Sequence, residues 1–406
     1  MAENSSDLAI LDRTMASLPV SAQGAPSRRF YELDSLRGLA ALTVVFYHFT
    51  LICSPGVQRI FLNSPLRILI AGHQAVILFF LLSGFVLTLP YAKHSSPSYW
   101  PFLLKRFCRI YLPYLGALTL AVVCDHFFKG RVVNNVWVSH TWAEPITAKL
   151  VIQHILFLGN YDWSQFNTAF WSLVYEMRIS LVFPLIALAV LRFRAAWSIL
   201  LALSLSLAFA PLARLFTNLH LFSNNAAVAS MVTLHYAAFF VLGSLLAKNL
   251  HQVSGWYKRL HLAPAVLFAL VAFILYGWSE SDIIVRHLRI RADYYDWGAA
   301  VGAIMIMILA MNARPFHSFL TSRVIHHLGE VSYSLYLVHG TVLFTLIHTC
   351  LGRISMSTLL VLYLAITLAI TEVFYRLIER PTMLLGRRLT APRPLKESVS
   401  SAAIAR

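Results

Sequence analysis

Long apolar segments recur along the whole of this 406-residue chain, and they constrain its fold more than any other feature. A helix needs roughly 20 apolar residues to cross a bilayer whose hydrocarbon core is about 30 Å thick. Scanning the sequence at about that length gives ten candidate spans, near residues 34–53, 70–91, 110–127, 171–190, 195–212, 229–247, 262–278, 295–312, 328–350 and 357–377. The sequence therefore predicts an all-α, polytopic membrane protein with about ten transmembrane helices in the lipid bilayer.

The overall composition excludes a soluble domain. Hydrophobic residues make up 58% of the chain and charged residues only 12%. The formal net charge of +16 would suggest a nucleic-acid or acidic partner for a soluble protein, but membrane proteins accumulate Lys and Arg on their cytoplasmic side. With the N-terminus placed inside, most Lys and Arg fall in cytoplasmic segments. We therefore expect both termini to be cytoplasmic and expect no nucleic-acid partner.

The four cysteines are scattered without the spacing of a metal site or a redox motif: Cys53, Cys108, Cys124 and Cys350. They fall in or near apolar segments. We therefore expect no metal ion and no disulfide framework.

Composition also divides the chain into three regions. Residues 1–30 are rich in Ser, Ala and Pro and lack the basic start of a signal peptide, so they are interpreted as a disordered cytoplasmic tail. Residues 31–381 would form the transmembrane domain, and 382–406 a basic cytoplasmic tail. The longest outer loop, about 128–170, contains an apolar run with flanking aromatic residues, which favours an interfacial helix.

Arg37 and His48 lie inside the first apolar segment, where polar residues need a reason. An arginine at the centre of a transmembrane helix costs roughly 2.5 to 3.5 kcal/mol, so such residues indicate function. Their separation of eleven residues corresponds to about three helical turns and about 16 Å, which places both on one face at different depths. The stripe between them consists of Ala40, Ala41 and Val44, small enough to leave room for a long ligand.

The second segment contains FFLLSGFVL, in which Ser83 and Gly84 interrupt a run of large apolar residues. Small residues let a neighbouring helix or a ligand approach the backbone closely. The pattern leaves helix packing and ligand binding open.

The third segment is preceded by KRFCRIYLPY, in which Arg106 and Arg109 follow Lys105. Residues three apart project from one helical face, and paired guanidinium groups suit phosphate oxygens because each offers a planar fork of donors. The alternative is a cytoplasmic anchor that only sets the topology.

The fourth segment begins WSLVYEMRISLVFP and places Glu176 about 7 to 8 Å below the outer surface. His48 lies at a comparable depth in its own segment. A carboxylate that holds an imidazole in one tautomer makes it a usable general base, so we expect Glu176 to orient His48. The alternative is a structural pairing of Glu176 with an arginine or a backbone donor.

The ninth segment, GEVSYSLYLVHG, places Ser332, Tyr336 and His339 on one side of a helix. A lone histidine in such a position is usually a core residue. The neighbouring hydroxyl groups favour, as the other interpretation, an acceptor pocket.

Taken together, these stretches resemble the acyltransferase 3 family of integral membrane O-acyltransferases. The matching pieces, in order over about residues 31–381, are LDSLRGLAALTVVFYHF, FFLLSGF, KRFCRIYLPY, WSLVYE, VSYSLYLVH and LIERP. The resemblance implies a ten-helix fold that moves an acyl group from cytoplasmic acyl-coenzyme A, with acetyl-CoA the expected donor, to a hydroxyl group. The implied acceptors are sugars, polysaccharides, or other glycosylated or lipid-linked molecules reached from outside a bacterial inner membrane.

The resemblance also implies roles for individual residues. The family's first-helix pair falls on Arg37 and His48, and its two-arginine motif falls on Arg106 and Arg109. Its Ser-Gly pair falls on Ser83 and Gly84, and its Trp-Ser-Leu motif with a later acid falls on Trp171 and Glu176. Arg178 departs from the family, which usually carries an uncharged residue there. Some relatives add an outer hydrolase-like domain, whereas this chain is expected to act alone.

The motifs and the resemblance agree on a mechanism. The phosphorylated end of coenzyme A would bind Arg106, Arg109 and Lys105 near the Ser83–Gly84 pair, and the thioester would reach His48. A neutral imidazole there removes the proton of an acceptor hydroxyl group. Arg37 would bind phosphate or oppose developing charge.

Several points stay open at this stage. Trp171, Tyr336 and His339 are candidates for acceptor binding, and the sequence does not distinguish direct transfer from an acyl-enzyme. A proton-coupled transporter is the alternative function, since it would also place Arg, His and Glu inside the bilayer. A non-catalytic scaffold is a further alternative that would not require His48.

Overall fold

The computed structural model describes residues 30–92, 97–129, 137, 139, 142–143, 145–157, 165–218, 224–279 and 292–391. The expected N-terminal tail, apart from Phe30, and the chain beyond residue 391 lie outside the described residues. The α-helices are, in order, α1 (Tyr31–Thr50), α2 (Pro55–Leu62), α3 (Gly72–Ala92), α4 (Tyr99–Arg106), α5 (Leu112–Phe128), α6 (Ala148–Leu156), α7 (Trp171–Arg192), α8 (Ala195–Asn218), α9 (Asn224–Lys248), α10 (Leu250–Lys258), α11 (Leu262–Trp278), α12 (Ala292–Asn312), α13 (Arg314–Leu320), α14 (Arg323–Glu330), α15 (Ser332–Cys350), α16 (Met356–Phe374) and α17 (Arg380–Leu389).

The all-α prediction is confirmed, since the described residues contain no β-strand. Within these residues, six helical stretches are long and apolar enough to cross a membrane: Gly72–Ala92, Tyr99–Phe128, Thr168–Arg192, Met231–Lys248, Tyr295–Asn312 and Met356–Leu389. The pair α14 and α15, bent by 71°, makes a seventh if it forms one span. Shorter apolar helices lie at Ala195–Ala208 and Leu262–Trp278. Six or seven spans are thus supported, and the count of ten stays a prediction.

Helix α1 is largely buried although its polar residues reduce its apolar character. It packs against α3, α14 and α15. The contact with α14 is close at Gly38, where an added Cβ would lie 2.6 Å from the backbone of Leu328 and Gly329. The stripe of Ala40, Ala41 and Val44 is buried within the packed core rather than exposed to an open groove. The small residues that predicted room for a ligand therefore serve close helix packing.

Helices α3 and α9 cross at two glycines. A Cβ on Gly84 would lie 2.2 Å from the carbonyl oxygen of Phe240, and one on Gly243 would lie 2.0 Å from that of Leu81. The Ser244 hydroxyl group donates to the Gly84 carbonyl oxygen at 3.2 Å. Both glycines are needed because only a missing side chain lets the two backbones approach this closely. The crossing fixes the position of Ser83 beside Gly84.

Two π-helical segments interrupt long helices at the motifs. Phe107–Tyr111 joins α4 to α5, and Tyr375–Glu379 joins α16 to α17. Single-turn π-helical segments occur frequently at functional sites. The first segment carries Arg109 and the second carries Glu379, so both motifs leave regular α-helical geometry where their charged residues lie.

Candidate active site

His48 lies near the C-terminal end of α1 and is almost fully buried. Its Nδ1 lies 3.0 Å from the Val44 carbonyl oxygen, one turn earlier in the helix. The same Nδ1 lies 3.1 Å from Nε2 of His339 in α15. Its Nε2 lies 3.2 Å from the hydroxyl oxygen of Thr168. Both ring nitrogens therefore have defined partners.

These partners determine where the protons lie. A carbonyl oxygen only accepts, so the proton of neutral His48 is on Nδ1, shared between Val44 and His339. The protonated Nδ1 of His339 donates a hydrogen bond to the Leu335 carbonyl oxygen at 3.1 Å, which leaves its Nε2 as an acceptor. The His48 Nε2 is then an unprotonated base that accepts a hydrogen bond from Thr168. The ring has the tautomer that a general base requires.

The predicted contact between Glu176 and His48 is not the one that the structure forms. Glu176 Oε1 accepts from Arg106 Nη2 at 2.7 Å and from the Ser83 hydroxyl group at 3.1 Å. Residue Thr168, which contacts His48, precedes Glu176 by eight residues, or about 12 Å of helix. The depth match was therefore wrong by about two turns. His339 occupies the orienting position that the sequence assigned to Glu176.

The predicted arginine pair divides between a buried and an exposed position. Arg106 is buried, and its Nε donates to the Ser180 hydroxyl group at 3.1 Å in addition to its bond to Glu176. Arg109 and Lys105 are exposed. The expectation that the two arginines share one face is corrected, because the π-helical segment that starts at Phe107 changes the helical register between them. Arg109 and Lys105 are thus open to solvent, whereas Arg106 is not.

Arg37 lies at the opposite end of α1 from His48 and forms an ion pair with Asp34 at 3.2 Å. It also lies within electrostatic range of Arg106, Arg109 and Glu176. The Glu379 carboxylate, which accepts from the Ser334 backbone N–H group at 3.0 Å, lies within range of Arg37 and Arg109. Three guanidinium groups and two glutamates from four of the sequence motifs thus meet at this end of α1. We call this set (Arg37, Arg106, Arg109, Glu176 and Glu379) the arginine cluster.

The remaining predicted residues stabilise the elements around the site or lie beside it. Gly84 packs against α9, so its role is helix packing, whereas Ser83 hydrogen bonds with Glu176.

The Tyr336 hydroxyl group donates to the Ala169 carbonyl oxygen at 3.1 Å and lies 2.7 Å from the Ser172 hydroxyl oxygen. Tyr336 therefore holds the start of α7. Trp171 lies parallel to His73, with ring centroids 6.3 Å apart.

Comparison with known families identifies the chain. A family model described as an acyltransferase domain matches residues 30–376, which include His48, Thr168, His339 and every residue of the arginine cluster except Glu379. The chain belongs to the acyltransferase 3 family. It is therefore an acyltransferase, and its apolar helices make it an integral membrane protein.

This acyltransferase is similar to three curated proteins over most of its length. Nodulation protein 10 of Rhizobium leguminosarum is 25% identical over 89% of this chain and 95% of its own length. The acyltransferase MdmB of Streptomyces mycarofaciens is 26% identical over 90% of this chain and 96% of its own length. The peptidoglycan O-acetyltransferase OatA of Listeria monocytogenes is 22% identical over 87% of this chain, which covers 56% of OatA. No solved structure matches.

The acyltransferase also contains a polar cluster that the sequence reasoning missed. Asp296 Oδ1 lies 2.8 Å from His73 Nε2, and Asp296 Oδ2 lies 2.9 Å from His235 Nε2. His235 Nδ1 lies 2.8 Å from the hydroxyl oxygen of Ser206, which accepts from Trp297 Nε1 at 2.9 Å. The His73 side chain is 34% exposed, whereas those of Asp296 and His235 are 9% and 5% exposed. We call His73, His235 and Asp296 the histidine–aspartate cluster.

A signal for this cluster was present in the sequence. All three residues lie in or beside predicted spans, where a titratable side chain indicates function. No such signal marked Thr168, because an isolated threonine before a Trp-Ser-Leu motif is ordinary. Its importance for the acyltransferase depends on its contact with His48, which lies 120 residues away in the sequence.

Proposed function

We propose that this acyltransferase moves an acyl group from cytoplasmic acyl-CoA, with acetyl-CoA as donor, to a hydroxyl group of an acceptor outside the membrane. The acceptor is a sugar, a polysaccharide, or another glycosylated or lipid-linked molecule. The observation that carries the proposal is the His48 Nε2, an unprotonated base that already accepts a hydrogen bond from a hydroxyl group. That arrangement is the one from which a base removes the proton of an attacking alcohol.

The arginine cluster supports a coenzyme A donor. Exposed Arg109 and Lys105 offer charge and hydrogen-bond donors to phosphate oxygens, as guanidinium and ammonium groups commonly do. Arg37 adds a third cation, and Arg106 is held in place by Glu176. The eleven residues from Arg37 to His48 correspond to about 16 Å of helix, so a donor bound at the cluster needs a long thin arm to reach His48. Pantetheine is such an arm.

The histidine–aspartate cluster supports an acceptor that binds on the outer side of the membrane. His73 at the start of α3 and Trp171 at the start of α7 lie parallel, and Trp171 follows Thr168 by only three residues. Polar groups beside aromatic rings suit a hydroxylated sugar ring. With ten spans and both termini in the cytoplasm, these residues face outward in a bacterial inner membrane. The name of the Listeria relative, a peptidoglycan O-acetyltransferase, agrees with such an acceptor.

The test is donor turnover by purified protein in detergent. Incubation with acetyl-CoA and a thiol reagent, in the presence of membrane extract as acceptor source, should release free coenzyme A. His48→Ala should lower this rate by at least about a hundredfold, since general bases contribute about 10² to 10⁴ in rate. His251→Ala, which removes an exposed histidine in α10, should leave the rate unchanged. Absence of thioester cleavage by the wild-type protein would overturn the assignment of acetyl-CoA as the donor.

The acceptor is identified separately. Mass spectrometry of surface glycans and lipids from a deletion strain should show loss of an acyl ester from one class of molecule. Complementation with the wild-type gene should restore the ester, and complementation with His48→Ala should not. An ester that persists in the deletion strain would exclude that class of acceptor.

A further inference from the structure

The side chain of Thr168 contacts the proposed catalytic base, His48. Its hydroxyl oxygen lies 3.2 Å from His48 Nε2. The Nε2 atom carries no proton, so the hydroxyl group is the donor. Thr168 is half-buried at the start of the 3₁₀ turn Thr168–Phe170, which leads directly into α7. A hydroxyl group is thus held on a histidine base in a site that is accessible but mostly shielded from water.

The turn that carries Thr168 is fixed to α15, the helix that carries His339. The Asn167 side chain accepts from the Ala169 N–H group at 3.0 Å and donates to the Leu337 carbonyl oxygen at 2.9 Å. A Cβ on Gly340 would lie 2.3 Å from Asn167 Oδ1, so the helix and the turn are in direct contact. The Tyr336 hydroxyl group adds its bond to Ala169. These contacts set the position of Thr168 relative to both histidines.

Thr168, His48 and His339 therefore form a chain of nucleophile, base and orienting group. A hydroxyl group within hydrogen-bond reach of a base, which is in turn oriented by a third group, is the arrangement of nucleophilic catalysis. We propose that Thr168 is the residue that accepts the acyl group from the donor and carries it as an ester to the acceptor. The inference rests on the proposed acyl-CoA donor and adds a covalent intermediate to it.

The first half of the reaction transfers the acyl group to the protein. His48 Nε2 takes the proton of the Thr168 hydroxyl group, and Oγ1 forms a bond to the carbonyl carbon of the thioester. The carbon–sulfur bond then breaks, and the leaving thiolate takes the proton from His48 Nε2. The products are free coenzyme A and an ester on Thr168. During this step, the Nδ1 proton of His48 stays on Nδ1 and remains hydrogen-bonded to the Val44 carbonyl oxygen and His339 Nε2, which accept from the imidazolium as they do from the neutral ring.

The second half of the reaction transfers the acyl group from Thr168 to the acceptor by the same chemistry. His48 Nε2 takes the proton of the acceptor hydroxyl group, whose oxygen bonds to the ester carbon. The bond to Thr168 Oγ1 breaks, and this oxygen regains its proton from His48. The donor and the acceptor then never need to occupy the site together, which suits substrates that arrive from opposite sides of a membrane.

The experiment uses full-length protein in detergent, deuterated acetyl-CoA and no acceptor. Samples are quenched in acid over a time series, digested and analysed by mass spectrometry. We expect deuterated acetyl on the Thr168 peptide in the wild-type protein and in Thr168→Ser, which keeps the hydroxyl group. We expect it to be absent from Thr168→Val and His48→Ala. Thr119→Val is the matched control, because its hydroxyl group bonds only to its own helix at Leu115, and it should retain the acetyl ester.

Two results would overturn the inference and leave the proposed function intact. One is coenzyme A release with the acetyl group on the His48 imidazole or on no protein residue at all. The other is a Thr168→Val protein that transfers acetyl to the native acceptor at the wild-type rate. Failure of wild-type protein to cleave acetyl-CoA even with membrane extract would overturn the donor assignment, and the inference with it.

Discussion

His48 donates a hydrogen bond to His339: Nδ1 of His48 lies 3.1 Å from Nε2 of His339, and both rings are buried. The two residues are 291 positions apart in the sequence, on α1 and α15. Because the protonated Nδ1 of neutral His339 donates a hydrogen bond to the Leu335 carbonyl oxygen, its Nε2 can only accept from His48. His339 thereby orients the base without competing for the acceptor proton.

The role of His339 predicts a difference between two substitutions. His339→Gln keeps an oxygen that can accept from His48, whereas His339→Leu removes the acceptor. We expect turnover to fall at least about tenfold in His339→Leu and less in His339→Gln, because general-base catalysis contributes about 10² to 10⁴. Acetyl-CoA affinity should be unchanged in both. The measurement is kcat and donor Kd on the same preparations, and equal loss in both variants would contradict the orienting role.

Arg109 and Arg106 should respond differently to alanine. Arg109 is exposed, so Arg109→Ala should weaken acetyl-CoA binding while the protein accumulates normally. Arg109→Lys should restore binding only in part, since the planar fork of donors is lost. Arg106→Ala should instead reduce accumulation, because it leaves the Glu176 carboxylate without its cation. Donor titration and detergent-extracted yield separate the two, and equal donor affinity in Arg109→Ala and wild type would reject the phosphate contact.

The ion pair between Arg106 and Glu176 should behave as one structural unit. Its side chains are 9% and 18% exposed, and breaking a mostly buried pair costs about 3 to 5 kcal/mol. We expect Glu176→Gln to lower the unfolding temperature and to leave the His48 chemistry of the remaining folded protein near normal. A double-mutant cycle with Arg106→Gln should give a coupling energy of about 0.5 to 3 kcal/mol. Additive effects of the two substitutions would show that the pair contributes nothing.

The histidine–aspartate cluster should affect the acceptor rather than the donor. Asp296→Asn removes the charge that both His73 and His235 contact. We expect a higher acceptor KM, with acetyl-CoA affinity and acceptor-free cleavage unchanged. The measurement is transfer from acetyl-CoA to graded amounts of the acceptor found in the deletion strain. A loss of donor binding in Asp296→Asn would indicate instead that the cluster stabilises the packing of the whole helix bundle.

The crossing of α3 and α9 should tolerate no side chain at Gly84. An added Cβ would lie 2.2 Å from a backbone oxygen of α9, so Gly84→Ala requires the helices to separate. Overpacking of this kind costs about 1 to 3 kcal/mol or more. Gly255→Ala is the control, because nothing lies within 4 Å of its Cβ position. Thermal unfolding in detergent should show a lower transition for Gly84→Ala, and no decrease for Gly255→Ala.

Local sequence was sufficient for the class of fold, and it marked several of the polar residues that the structure brings together. Apolar length and composition predicted helices and a membrane location, because a span must be long and apolar wherever it lies in the chain. Arg37, His48 and Glu176 stood out since charged and titratable residues inside spans are costly. His73, His235 and Asp296 met the same rule and were recoverable from it.

Only the tertiary structure decided which of these residues meet. Pairing depends on the relative depth of the helices. The depth expected for Glu176 was wrong by about two turns, so Glu176 contacts Arg106 and not His48. The proton on His48 Nδ1 and the contact with Thr168 required three elements to come together from distant parts of the chain. A sequence records which side chains are present and how they are spaced along one helix. Contacts between helices depend on how the helices pack, for example at Gly84, and on changes of helical register, for example the one before Arg109. The spacing of residues within a single helix contains neither kind of information.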